Sequence, residues 1–183
     1  MKKIFNVLLF VFAMSSVQAQ VKKADLQASG LTCSMCSNSI NKALKTIGYI
    51  ESVRANIQTS SFSIIFKEGA KVNLDDLKMK VEDAGFSVAN LTVTINFDHA
   101  SIANDEHLNV EGMVFHFLNV KDQVLSGTQT IRILDKGYVA MKEFKKNEKF
   151  TKKECYKTGT AGTGSCCSKE GIAAGTRIYH VTI

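Results

Sequence analysis

ADLQASGLTCSMCSNSINKALKTIG, residues 24–48, changes its periodicity half-way. Ala24, Leu26 and Ala28 alternate with polar neighbours, the pattern of a strand with one buried face. From Ser34 onward, Ile40, Ala43, Leu44 and Ile47 fall at i, i+3, i+4 and i+7, one stripe of a helix that Gly48 stops. Downstream, Val53, Ala55 and Ile57 alternate, then Phe62, Ile64 and Phe66, with polar Gln58 to Ser61 between them, which predicts a hairpin. Asn73 is placed to cap a second helix, with Asp75 and Asp76 in its first turn, Leu74, Leu77, Val81 and Ala84 as its stripe, and Gly85 at its end. Leu91, Val93, Ile95 and Phe97 then form a last strand. The order strand, helix, strand, strand, helix, strand predicts an α+β, ferredoxin-like βαββαβ sandwich whose sheet is covered by helices on one face.

The chemistry sits where the period changes. Gly30-Leu31-Thr32-Cys33-Ser34-Met35-Cys36 places two thiols three residues apart, one on the loop and one in the first helical turn. There the unpaired N–H groups and the positive end of the helix dipole favour a thiolate. A structural zinc site normally takes four ligands, and this loop offers no His or carboxylate. Two soft donors select a soft ion instead, Cu(I) first and Hg(II) as a toxic substitute. A site of only two ligands also leaves room for an incoming thiol, so it favours handing an ion on over storing it. The competing readings of a Cys-x-x-Cys pair are a disulfide and a redox pair. A thioredoxin-type reductase is disfavoured because such enzymes set a cis-proline against the pair, and the chain has no proline.

The loop GLTCSMC, the six-element order and the Gly85-Phe86 pair before the last strand resemble the heavy-metal-associated domain family, whose members carry a GMTCxxC loop. The resemblance spans residues 24 to 98. It implies a metal-binding domain at 21–98 with Cys33 and Cys36 as the ligands, Leu31 buried beneath the loop and Phe86 packed near it. Leu31 replaces the family's usual Met, and Thr32 stands where an acidic residue would suggest zinc. The implied cargo is Cu(I), with Hg(II) or Zn(II) as alternatives. The implied partner is a metal-transporting membrane protein or another metallodomain, and no enzyme chemistry is required. The small periplasmic mercury-binding proteins that the chain also resembles have a signal and one such domain, whereas this chain adds a second region; the alternatives are mercury scavenging and a thiol-disulfide oxidoreductase that uses the Cys33 and Cys36 pair.

Residues 1–19 read as a secretory signal: Lys2 and Lys3, an apolar run from Ile4 to Met14, and Val17-Gln18-Ala19 as the cleavage site. That run is too short to span a bilayer, which takes roughly 20 residues. The expected location is the periplasm or another exported compartment, with no membrane span after signal removal. The chain of 183 residues has net charge +6, and losing Lys2 and Lys3 leaves +4, too slight an excess to indicate nucleic acid. With 45% hydrophobic and 22% charged residues, it has the composition of a chain that buries a core.

The second half is less legible. Residues 99–107 are polar and without period, as in a linker, and 108–183 suggest a small all-β domain, OB-like in its spacing of short strands. Val110 to Val120 reads as one long strand; Gln129 to Leu134 and Tyr138 to Phe144 read as a hairpin; Thr176 to Ile183 reads as a closing strand. The Lys-rich run from Lys142 to Glu154 reads as a solvated strand end or loop. Export and the interspersed Glu residues count against nucleic acid there. Five cysteines in an exported chain cannot all pair within it. Cys155 could close a disulfide to Cys166 or Cys167, or these three could form a second soft-metal site with a histidine such as His180. His99 and His107 are expected to be solvated, and His116 to be structural.

Overall fold

The computed structural model describes residues 20–31, 34–163 and 166–183, the side chains of Cys166 and Lys169 excepted. The expected signal, residues 1–19, lies outside the described residues, as do Thr32 and Cys33. The chain runs β1 (Gln20–Ser29), α1 (Ser34–Lys45), β2 (Ile50–Asn56), β3 (Ser61–Phe66), α2 (Leu74–Asp83) and β4 (Ser87–Ile102). This is the expected six-element order. Hydrogen bonding sets β2, β3, β1 and β4 side by side, all antiparallel. Buried positions alternate along β1, β3 and β4. They meet Ile40 and Leu44 of α1 and Leu74, Leu77 and Val81 of α2 in one core.

Asn73 caps α2 as expected. Its backbone is extended and its Oδ1 accepts from the Asp75 N–H at 3.1 Å, satisfying a donor that the first helical turn leaves over. The β2–β3 turn is tied by Asn56, whose Oδ1 accepts from the N–H groups of Gln58 and Thr59.

Beyond residue 98 the structure departs from expectation. The stretch 99–107 is not a linker: β4 continues to Ile102, and β5 (Glu106–Val110) begins four residues later. His99, with a positive φ, sits where the β4 register slips between Phe97 and Ala100. Such a bulge bends a strand without ending it, and its loss of alternation is what imitates a linker in sequence.

The second half comprises β5, β6 (Met113–Phe117), β7 (Gln123–Ile133), α3 (Met141–Asn147), a 3₁₀ turn at Glu148–Phe150, α4 (Cys155–Thr158), α5 (Cys166–Lys169) and β8 (Ile178–Thr182). An independent OB-like barrel is not formed. Its strands extend the first half's sheet from the edge of β4, giving the order β2-β3-β1-β4-β7-β8-β6-β5. β6 and β8 pair in parallel. The long strand expected at 110–120 is broken by a hairpin at Glu111-Gly112, both residues having positive φ, the conformation of a tight two-residue turn. The second hairpin expected at 129–144 is replaced by β7 followed by α3, so half of the Lys-rich run is helical.

β6 and β8 are buried on both faces, Val114 to Phe117 and Ile178 to Val181 without interruption. Alternation then sorts their side chains. Phe115, Phe117, Tyr179 and Val181 join the core beneath α1 and α2. On the opposite face, Val114 and Ile178 pack with Cys155, Ala161 and Cys167, while Leu118 and Leu134 pack with Val139 and Tyr156. His116 and His180, adjacent in register, lie between these two apolar patches, fully buried.

Asp75 ties the two halves together. Its carboxylate accepts from the Tyr138 hydroxyl at 2.7 Å and from Arg177 Nε at 2.7 Å and a terminal nitrogen at 3.2 Å. Burial would raise its pKa, but the hydrogen bonds from Arg177 and Tyr138 outweigh it and hold the carboxyl below its usual range. A depressed folded pKa contributes stability that is fully present above the unfolded value, near 3.9. That contribution is lost as pH falls through the folded one. The gap in thermal midpoint between wild type and Asp75→Asn is therefore expected to be widest near neutral pH and to close as the solution is acidified below about pH 4. Melting curves followed by circular dichroism across that range check it, and a gap that does not narrow refutes it.

Candidate metal centre

β1 delivers the chain to the first site and Gly30 turns it. With φ at +82° Gly30 occupies a region that costs a side-chain-bearing residue strain. A Cβ there would only touch Phe86 Cδ1 at 3.9 Å, so the requirement is conformational rather than steric. Leu31, expected to be buried beneath the loop, is partly buried, and it and Phe86 both pack against the main core. Phe86 follows Gly85, whose φ of +86° ends α2 and sends the chain into β4.

α1 opens at Ser34 immediately after the loop. Its buried stripe of Ser37, Ile40 and Leu44 fixes the helix on the sheet, which leaves the opposite side of the first turn outward. Met35 is 79% exposed and Cys36 half-buried. The first turn carries no acidic residue, while Lys42 and Lys45 lie in the last. Nothing in that first turn competes with an anionic sulfur for the positive end of the helix dipole. Cys33, the other expected ligand, lies outside the described residues. The structure thus places Cys36 in the first turn of α1, at the helix mouth.

Residues 25–87 match the sequence model of the heavy-metal-associated domain. This stretch is a heavy-metal-associated domain. Among relatives, the mercuric transport protein periplasmic component of Serratia marcescens is 29% identical over 86 residues, covering 47% of this chain and 93% of that protein. A probable copper-exporting P-type ATPase of Archaeoglobus fulgidus is 30% identical over 84 residues, 46% of this chain but only 10% of the ATPase. Among solved structures, the CopZ metallochaperone aligns at 25% identity over 37% of this chain and 98% of its own, with a TM-score of 0.34. The Ccc2a domain of the yeast copper transporter aligns at 28% identity over 36% of this chain and 88% of its own, with a TM-score of 0.33. The family match leaves residues 88–183 outside the heavy-metal-associated domain.

Cys155 and Cys167 do not join Cys36. Cys155 opens α4 and Cys167 lies in α5, over the sheet face opposite α1 and α2 and alongside β6. From β1 to β6 is four strand steps, about 19 Å at the usual inter-strand spacing. The histidine expected to accompany them was His180, but the rings that meet their sulfurs are His107 and His116. His180 instead bonds Asp135 through Nδ1 at 2.6 Å.

His107 corrects the sequence reading: its side chain is 3% exposed and held by Glu170, whereas His99 is exposed as expected. Burial lowers the pKa of His107. Burial, reinforced by the neighbouring His180 and His107, takes that of His116 down to about 2, so this imidazole is neutral at any working pH. The sequence signal for His107 was obscured because the exposed, polar Glu106 and Asn109 flank it in a five-residue strand without a clear alternation.

Proposed function

We propose that this chain is an exported carrier or sequestering protein for a soft metal ion, Cu(I) foremost, held between Cys33 and Cys36. The observation that carries the reading is a Cys-x-x-Cys loop at the mouth of α1 within a heavy-metal-associated domain. Two thiolates three residues apart in the chain give a monovalent soft cation a low-coordinate site. An incoming thiolate from a second metallodomain can add to that ion before either resident sulfur leaves, so the ion passes without being released to water. Exposed Met35, between the two cysteines, offers an apolar contact to such a partner. The recipient in this reading is a metal-transporting membrane protein or another metallodomain. No covalent catalysis is involved, and the chain acts as a binding protein rather than an enzyme.

Mercury scavenging is the second reading. What favours it is that the mercuric transport relatives are matched over 93% of their own length. The same pair of thiolates would serve a linear Hg(II) site.

The test uses protein in which Cys155, Cys166 and Cys167 are serine, so that only the first site reports. The reduced protein, loaded with Cu(I), is expected to retain one ion per chain against a Cu(I)-selective chromophoric chelator. It should pass that ion to an apo heavy-metal-associated domain faster than it loses it to free chelator. Retention of Hg(II) with failure to hold Cu(I) would decide for the second reading. Insulin reduction by the metal-free protein would overturn both in favour of a thiol-disulfide enzyme.

A further inference from the structure

Among the described residues, His107, His116 and Cys155 present ligand atoms that all lie within 4.8 Å of one another. Cys155 Sγ is 3.7 Å from His107 Nε2 and 3.7 Å from His116 Nδ1, and Cys167 Sγ is 3.9 Å from His107 Nε2. Tetrahedral zinc bonds of about 2.3 Å to sulfur and about 2.0 to 2.1 Å to nitrogen place coordinated S and N atoms roughly 3.6 Å apart. The three sulfur-to-nitrogen distances therefore stand within a few tenths of an ångström of that separation; Cys167 reaches His107 but lies outside the group of three whose ligand atoms are all within 4.8 Å of one another, so it is the donor that must draw in. We propose that His107, His116, Cys155 and Cys167 form a second metal site, closed and tetrahedral, that takes Zn(II) and pins α4 and α5 to the sheet.

Three further observations support it. First, each histidine has a carboxylate on its far nitrogen: His116 Nε2 meets Asp105 Oδ1 at 2.8 Å, and His107 Nδ1 meets Glu170 Oε2 at 2.5 Å. Lys153 Nζ holds the other Glu170 oxygen at 2.8 Å. An ionised carboxylate only accepts, so each neutral ring turns its N–H outward and its lone pair toward the sulfurs. This is the supporting arrangement that orients metal-bound imidazoles. Second, sulfur and ring nitrogen face one another repeatedly here, Cys155 Sγ reaching both imidazoles and Cys167 Sγ reaching His107. Third, His180 Nε2 is buried without a hydrogen-bond partner, its ring 5.0 Å from His116, which marks the neighbourhood as more polar than its own hydrogen bonds satisfy.

Charge decides between ions. Two thiolates and two neutral imidazoles neutralise a divalent cation, whereas Cu(I) would leave a net negative charge inside a buried cluster, at a cost in desolvation. Binding then releases the two thiol protons and changes no oxidation state. The site shares no residue with the Cys33 and Cys36 loop, so it stands or falls separately from that reading.

The experiment uses the full chain carrying Cys33→Ser and Cys36→Ser, reduced, with Co(II) as the probe. One Co(II) per chain is expected, with the strong visible ligand-field bands of a tetrahedral ion and a near-ultraviolet thiolate charge-transfer band. One equivalent of Zn(II) should abolish both. His116→Ala and Cys155→Ser should each lower Zn(II) affinity by at least about 100-fold, and Asp105→Asn by about 10-fold or more through the supporting carboxylate. Absent or weak octahedral bands in the parent protein overturn the proposal even if the cluster variants fail to fold. Preferential retention of Cu(I) over Zn(II) by the parent overturns the assignment of the ion.

Discussion

Cys36→Ser should reduce Cu(I) affinity by about 10³-fold or more, equivalent to roughly 4 kcal/mol of binding free energy. A serine hydroxyl stays protonated at neutral pH and is a hard oxygen donor, so the substitution removes one of only two soft ligands and leaves the ion on a single sulfur. The first turn of α1 has no neighbouring His or carboxylate that could replace it. Stability should hardly change, because Cys36 is half-buried whereas the helix is held by Ile40 and Leu44, both fully buried. The measurement is chelator competition beside a thermal melt, with Cys167→Ser as the control that leaves the first site intact. An affinity that survives Cys36→Ser would move the ion away from the helix mouth, and the carrier proposal would fail with it.

The largest expected change in stability comes from Arg177→Ala. Its guanidinium bridges Asp75 on α2 and Asp135 after β7, at 3.0 Å from the latter, and donates to the Gly159 carbonyl at 3.1 Å, where α4 ends. It also lies over the Tyr179 ring at 4.2 Å. Burial would lower its pKa, but Asp75 and Asp135 outweigh that and keep it raised, so it is a cation throughout the working range. Asp135 is only 6% exposed. Removing the guanidinium strands that carboxylate with only His180 and the His180 N–H beside it.

Breaking a buried pair from one side costs about 3 to 5 kcal/mol. Because Arg177 and Asp75 are partly solvated, the lower end, about 3 kcal/mol, is expected. Arg132 supplies the comparison. It grips Glu143 with two hydrogen bonds at 2.5 and 3.0 Å, yet both side chains are about a third exposed, so Arg132→Ala should cost at most about 1 kcal/mol. Urea unfolding of the two variants decides the matter: equal midpoints would mean that Arg177 is not the tie between the halves.

Gly159 belongs to the same arrangement. Its φ is +74°, and a Cβ would stand 3.1 Å from an Arg177 terminal nitrogen. Backbone conformation and close approach both call for glycine here. The turn also sets where α4 ends, and hence where Cys155 sits against His107 and His116.

Residues 24–98 were readable from sequence because every element there buries one face only. The strands Phe62–Phe66 and Leu91–Phe97 therefore alternate, α2 shows its stripe and its Asn73 cap, and the Cys-x-x-Cys loop falls where the period changes. These are local rules, and the sequence by itself determined the first half's element order and the first site's candidate ligands.

The second half obeys non-local rules. β6 and β8 bury both faces, so Val114 to Phe117 and Ile178 to Val181 carry no alternation that would tell one side from the other. A bulge at His99 erased the signal of the last residues of β4, and the Glu111-Gly112 turn hid inside an apolar run. Only the tertiary structure decided that these strands continue the first half's sheet. It alone brought His107, His116, Cys155 and Cys167 together, since ligands separated by up to 60 positions acquire a common centre only when strand register and helix packing fix their directions.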